Sequence, residues 1–338
     1  MFFKTIIQGR LEFGSEKSYS KVLKMFQYRV ENYHKNNVLF KEEDIFSDDD
    51  YTMEIPRYVA NVTEKAFKNT VNILSYCSQF AVTGSIRAWM IDNGDIMHFE
   101  TIEPESDKGT VQAFLKGRKL VREEGKQEEA IDELTKAIEK YNRNAMAYER
   151  RAKVNFLLQN YHDALRDYNK CINIDDSIPT AYYGKAKCLM IKEDWSGAIE
   201  NFDEAIKKSI ALQPLYWKSR RLKAECHIKL KEYDKAAFDL KLFTNRNFSK
   251  DNPNYGWKRW AYFYYGYVLL ELDQNKEALE AFERASELPE VNDGIQKAAL
   301  LRLRGEAKRK AGKNGFVKDI KDAAEMGDDI AKELLAVI

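Results

Sequence analysis

Apolar and polar positions follow two different rhythms along this chain. Up to about residue 107, strand-like alternation and helical spacing take turns. From Gly109 onward the spacing is helical throughout, and it repeats. Phe2 to Phe13 alternates as a strand does. Ser15 stands where a cap would open a helix at Glu16, with Val22, Met25, Phe26, Val30 and Tyr33 as its apolar face and Asn36 and Asn37 as its end. Lys41 to Asp50 is polar and acidic and reads as an exposed loop. Its run Asp48, Asp49, Asp50 lacks the alternating ligands and the glycine that a calcium loop needs. Tyr51 to Ile55 predicts a short strand, closed by Pro56. Thr63 caps a second helix that reaches Phe80, with Phe67, Val71, Leu74 and Cys77 on one side. Ser85 to Ile91 and Asp95 to Ile102 flank Asn93-Gly94, a strong hairpin signal. The order β-α-β-α-β-β predicts a small α+β domain over residues 1–107 with a mostly antiparallel sheet. It carries the signature of no named family. Glu103 to Gly109, with Pro104, reads as a linker into residues 108–338.

The second part is built on copies. AYERRAKVNFLLQNYHDALRDYNKC begins at Ala147, and AYYGKAKCLMIKEDWSGAIENFDEA begins at Ala181. Tyr148 and Tyr182 are 34 residues apart, as are Ala152 and Ala186, Ala164 and Ala198, Tyr168 and Phe202, and Cys171 and Ala205. Phe114, Ala130, Leu134 and Ala137 lie one period earlier. Ala224, Ala236, Leu240 and Phe243 follow at a spacing of 38, and Gly266, Ala278, Phe282 and Ala285 at 42. A degenerate sixth copy has Leu301, Gly305, Val317 and Ala324, but puts Lys321 in an aromatic column. Pro179, Pro214, Pro253 and Pro289 fall between copies, where helices stop. Small residues such as Ala152 and Ala164 let two helices approach closely, and the aromatics fill the space around them. One such pair cannot bury its own apolar faces, so copies must stack. This pattern resembles the tetratricopeptide repeat. The fold expected is therefore mainly α: a TPR-like α-solenoid of five to six helix-turn-helix units, ending in a capping helix over Asp328 to Val337 and preceded by the α+β domain.

Composition narrows the function. The chain has 338 residues and a formal net charge of +1, so no global field favours nucleic acid or an acidic membrane. The first residues, MFFKTIIQGRLEF, form neither a signal peptide nor a membrane span, and a cytoplasmic protein is expected. Cys77, Cys171, Cys188 and Cys226 form no C-x-x-C pair and read as buried thiols. His34, His98, His162 and His227 are scattered, so neither metal nor cofactor is expected. The basic run from Arg302 to Lys313 reads as a solvated helix face.

The resemblance implies that the first helix of each pair lines a concave face on which an extended peptide lies. In this sequence, positions sharing that face put Lys119, Lys153 and Lys187 in one column, beside Phe156 and Tyr183. Lys218 and Arg221 continue it, and Trp260, Phe263 and Tyr267 make its far end aromatic. Such a groove suits a partner with acidic and apolar side chains, the aromatics setting affinity at roughly 1–3 kcal/mol each. Lys153 and Lys218 resemble fragments of the clamp with which some co-chaperones of this family hold a C-terminal carboxylate. The asparagines of that clamp have no match.

The first functional reading is a non-enzymatic scaffold or adaptor holding a protein or peptide. The second is an enzyme or small-molecule sensor in residues 1–107, with the repeats as a targeting arm. Against it, no glycine-rich phosphate loop, H-E-x-x-H or G-x-S-x-G occurs. The third is RNA binding by the basic and aromatic helices of the fourth and fifth copies, which the near-neutral charge disfavours. The sequence leaves the oligomeric state open.

Overall fold

In the computed structural model, which describes every residue but Asn36, β1 (Phe2–Glu12) is the middle strand of a five-stranded sheet. It is followed by α1 (Glu16–Asn32), α2 (Glu42–Ile45), β2 (Phe46–Ser47), β3 (Thr52–Thr63), α3 (Glu64–Ser78), β4 (Thr83–Asp92) and β5 (Asp95–Ile102). The strand order is β2-β3-β1-β4-β5, with every neighbouring pair antiparallel. Local chemistry sets the boundaries. The side chains of Ser15 and Thr63 accept from the backbone N–H of Ser18 and Ala66, capping α1 and α3. Asn93 and Gly94 both take positive φ, 49° and 89°, as a two-residue turn between twisted strands requires.

Alternation gives the sheet two faces. Ile7, Leu11, Ile86, Ala88 and Met90 point into a core completed by Val22 and Phe26 of α1 and Phe67, Leu74 and Cys77 of α3. Two expectations are corrected here. β3 does not stop at Pro56. Its register against β1 shifts between Ile7 and Gly9, and Pro56 sits at that irregularity. β2 pairs only with Thr52 and Met53, so the missing N–H breaks no ladder on the other side. The stretch Lys41 to Asp50 is not simply an exposed loop either. It contains α2 and β2, and the Phe46 ring lies 5.3 Å from that of Phe26. The helix end expected at Asn36 falls outside the described residues; α1 itself ends at Asn32, with Tyr33 as its C-cap.

Helices occupy the rest of the chain: α4 (Gly109–Leu120), α5 (Gln127–Lys140), α6 (Ala145–Leu157), α7 (Tyr161–Ile174), α8 (Pro179–Ile191), α9 (Trp195–Lys208), α10 (Pro214–Lys229), α11 (Tyr233–Asn245), α12 (Lys258–Glu271), α13 (Asn275–Glu287), α14 (Lys297–Lys310), α15 (Phe316–Glu325) and α16 (Asp329–Leu335). The chain is thus mainly α, with helix-turn-helix pairs following a small antiparallel sheet. By its contacts it divides into two units, Met1–Cys188 and Leu189–Ile338. Pro179 and Pro214 open helices rather than separating them, at a first position whose N–H has no helical partner in any case.

Three devices recur from pair to pair. The small columns are fully buried, as at Ala152, Ala164, Ala236 and Ala278. The turn between the two helices of a pair carries a left-handed residue: Gly125, Gln159, Glu193, Lys231, Asp273 and Gly312. At Gln159 the next amide, Asn160 N–H, reaches back to the Asn155 carbonyl at 2.8 Å, a closing bond that satisfies a carbonyl at the helix end. Third, an arginine of the first helix grips a buried aspartate of the second. Arg151 holds Asp167 through two bonds of 2.7 and 2.9 Å, and Arg304 holds Asp319 through two of 2.7 Å. Arg220 meets Asp239 through a single nitrogen and gives another to the Tyr216 hydroxyl. The sixth copy needs a correction: Ile320, not Lys321, fills the aromatic column, fully buried under Gly305. Its second helix lies one residue earlier than the sequence columns place it, which brings Ala323 into the small column.

Candidate functional site

In the first unit, α4 and α6 carry Lys119 and Lys153, both exposed and both without an ion-pair partner among the described residues. Phe156 of α6 and Tyr183 of α8 are half-buried. Lys187 joins them, its Nζ 4.0 Å from the centre of the Phe156 ring and 6.0 Å from that of Tyr183. Such a contact contributes about 0.5–1 kcal/mol at a partly exposed site. It also fixes the ammonium over an aromatic surface.

The second unit differs from expectation. Lys218 and Tyr267 are half-buried, and the Tyr267 ring stands edge-on to Tyr233 at 6.1 Å. Trp260 and Phe263 are 6% and 8% exposed. Trp260 packs on Tyr264 at 4.4 Å, and Phe263 on Phe282 at 6.1 Å. The protein's own side chains therefore cover both positions, and their rings serve the core. Arg221, also buried, lays its guanidinium 3.8 Å from the Trp257 ring centre and 5.2 Å from that of Trp260. Trp257, in a short 3-10 turn ahead of α12, was not singled out in the sequence, although it stands within the aromatic run from Tyr255. Nearby, burial raises the Glu225 carboxyl above its ordinary value, and Arg259 and Asp293 form a fully buried ion pair at 2.8 Å. The basic run of α14 is not merely solvated: Arg302 pairs with Glu306 and Asp328, and Arg304 and Lys308 with Asp319.

A further polar cluster escaped sequence reasoning because its members are far apart in the chain. The sheet face opposite α1 and α3 bears Gln8, Glu12 and Arg87 beside Trp89, and it meets the turns of the first repeats. Glu12, 3% exposed, accepts from the Tyr141 hydroxyl and from Arg143 Nε. Thr83 donates to Asn144 Oδ1 at 2.7 Å, and Arg87 donates to the Ser177 carbonyl at 3.3 Å. Burial and the bond to Glu12 together raise the Tyr141 phenol above its usual range.

The four thiols are buried, and burial pushes Cys77 and Cys226 up to about 12, so neither is a ready nucleophile. Among the described residues, no group of three or more His, Cys, Asp or Glu side chains is placed to hold a metal ion. No described helix is long and apolar enough to cross a membrane.

Comparison with known proteins agrees with this geometry. Two tetratricopeptide-repeat family models match residues 183–240 and 261–292. The chain is 35% identical over 82 residues to the Protein SGT1 homolog of Bos taurus, covering 24% of each. It is 35% identical over 81 residues to the Homo sapiens protein of the same name, covering 24% of this chain and 22% of that one. The match thus spans about a quarter of these relatives. Among solved structures it resembles YrrB, described as a TPR protein with an unusual peptide-binding site, at a TM-score of 0.51 and 21% identity over 61% of this chain and 98% of that one. It also resembles pilF of Pseudomonas aeruginosa, at a TM-score of 0.51 and 16% identity over 69% and 99%. At these identities the likeness is one of fold.

Proposed function

We propose, from the premise that this chain is a tetratricopeptide repeat protein, that it is a non-enzymatic cytoplasmic scaffold holding a partner protein by an extended acidic segment. The observation that carries this reading is the contrast between two kinds of cation. Several partly buried basic side chains are committed to aspartates, as Arg151 is to Asp167, Arg220 to Asp239 and Arg304 to Asp319. Lys119 and Lys153 instead stand exposed in corresponding positions of successive first helices, and Lys153 shares α6 with Phe156, the ring under Lys187. Uncommitted ammonium groups beside a half-buried ring suit a carboxylate followed by an apolar side chain. The docking segment is therefore placed on the first unit, and Trp260 and Phe263 are left to the core. YrrB's description names a peptide-binding site, which agrees in kind with this reading, but the choice of peptide rests on this chain's own lysines. The test is titration of a fluorescent peptide of alternating glutamate and phenylalanine into the full chain. Lys119→Glu with Lys153→Glu should weaken binding at least tenfold and remove its salt dependence. An unchanged affinity discards the reading.

A small-molecule sensor in the first domain is the second reading. A cleft of ≈ 860 Å³ between α1 and the segment leading into α2, lined by Lys24, Tyr28, Phe40 and Lys41 among others, supports it. A metabolite panel that raises the melting temperature of the full chain, but not of a Tyr28→Ala variant, would favour it over the scaffold.

A further inference from the structure

Strand β5 ends the sheet, and among the described residues no strand pairs with its outer edge. A free edge presents unpaired N–H and C=O groups that template a further strand, and proteins commonly guard it with lysine, proline or a covering element. β5 contains neither lysine nor proline. It exposes Ile96, Met97 and Phe99 at 40%, 59% and 47%. A bulge lies at Met97, because Ile91 pairs with Ile96 while Met90 pairs with His98; from His98 to Ile102 the ladder is regular. Phe99 is held in place, stacked on the buried Trp89 with centroids 5.4 Å apart and planes at 18°. On the other face, His98 Nε2 stands 3.2 Å from the Glu100 carboxylate.

We propose that β5 pairs with β5 of a second copy of this chain, antiparallel about a twofold axis at Phe99, joining two sheets into one. The register follows from parity. Residues directly opposite in an antiparallel ladder point their backbone groups in the same sense, so the numbers of a self-paired couple sum to an even value. The regular stretch from His98 to Ile102 then offers an axis at each of its residues. An axis at His98 sets the imidazole against its own copy, one at Glu100 sets two carboxylates against each other, and those at Thr101 and Ile102 set Glu100 opposite Ile102 and Pro104. The Phe99 axis alone sets His98 opposite the partner's Glu100, twice by symmetry. It also brings the two Phe99 rings together on the face that carries Trp89. Hydrogen-bonded polar pairs and aromatic pairs directly opposite each other stabilise a cross-strand pairing, and like charges destabilise it. The edge is thus complementary to itself in one register.

The test uses the full chain in sedimentation velocity, from low to high micromolar concentration. The wild type should move from monomer to dimer across that range. Glu100→Lys should weaken the dimer by about tenfold, because the carboxylate that accepts from the partner's imidazole becomes an ammonium group, which cannot accept, at two symmetric positions. Adding His98→Glu to Glu100→Lys should restore it, since a carboxylate and an ammonium group then face each other across the axis twice. Phe99→Cys should form an interchain disulfide under mild oxidation, while Thr101→Cys, opposite the partner's Met97, should not. A monomer at every concentration overturns the proposal, and so does a strand from an unrelated protein occupying the edge instead. A dimer indifferent to Glu100→Lys, or one that Phe99→Cys fails to cross-link, places the contact elsewhere and overturns it equally. Loss in Glu100→Lys that the double variant does not restore does the same.

Discussion

The carboxylate of Glu12 in β1 accepts the hydroxyl of Tyr141, 2.5 Å away, in the turn between α5 and α6. Arg143 adds a second bond to the same carboxylate at 3.3 Å and reaches Asp50 at 3.3 Å. These contacts fasten the sheet to the first helix pairs within one unit. Bonds to a buried charged group are among the more valuable ones, at about 1.5–3 kcal/mol. Tyr141→Phe should therefore lower the stability of the full chain by about 2 kcal/mol. Hydrogen exchange should speed up in β1 and in α5 and α6 together. Exchange confined to the helices would show that the two parts open independently.

The burial of Trp260 and Phe263 sets a different expectation. Trp260→Ala or Phe263→Ala removes a ring from the core of the second unit and should cost about 3–5 kcal/mol, read by urea denaturation. The acidic-phenylalanine peptide should still bind any folded variant with unchanged affinity. Lost binding without lost stability would return these rings to the docking surface.

The left-handed turn residues predict gains. Gln159, Glu193, Lys231 and Asp273 hold φ near 60°, a conformation costing a side-chain-bearing residue about 1–2 kcal/mol, part of which glycine returns as unfolded-state entropy. Each change to glycine should raise stability by about 0.5–1 kcal/mol. Gly125→Ala and Gly312→Ala should act in the opposite direction. Thermal melts of the four glycine variants test the sign, and uniform destabilisation would contradict it.

Acid should loosen the last helices. Burial acts to raise the Asp319 carboxyl, but hydrogen bonds from Arg304 and Lys308 outweigh it and hold it below its ordinary value of 3.8. A carboxyl depressed in the folded state contributes stability that is fully present above its unfolded value and is lost as pH falls through the folded one. Protection of α14 and α15 amides should therefore fall as pH drops below 3.8. In Asp319→Asn that protection should already be low at neutral pH and lose its acid dependence. Identical profiles for the two proteins would deny Asp319 this role.

Much of this architecture was legible because it rests on local, repeated chemistry. Ser15 and Thr63 announced helices, Asn93-Gly94 a hairpin, and Ala152 and Ala164 a close helix pair. What stayed hidden had physical causes. The run from Tyr255 to Tyr267 is aromatic on every helix face, so periodicity could not say which rings turn inward; Trp260 and Phe263 do. The arginine–aspartate grip is interrupted by Asn201 and Ala281 in the same column, which conceals its period. Glu12 and Tyr141 meet across more than a hundred residues, beyond the reach of any pattern. The segment holding α2 and β2 is too short to show a rhythm. At the candidate docking site the lysine column follows from spacing, whereas Lys187 lying over Phe156 is a contact between two helices that no spacing encodes.

The buried thiols give the molecule its own set of clocks. Cys77 sits under the sheet, Cys171 and Cys188 lie among helices of the first unit, and Cys226 lies in the second. A bulky alkylating reagent can reach each one only when the surrounding structure opens. The order in which the four are tagged, followed by peptide mass spectrometry on unaltered protein, would chart which region breathes first. Repeated with the peptide bound, the same measurement would locate the region that the peptide holds shut.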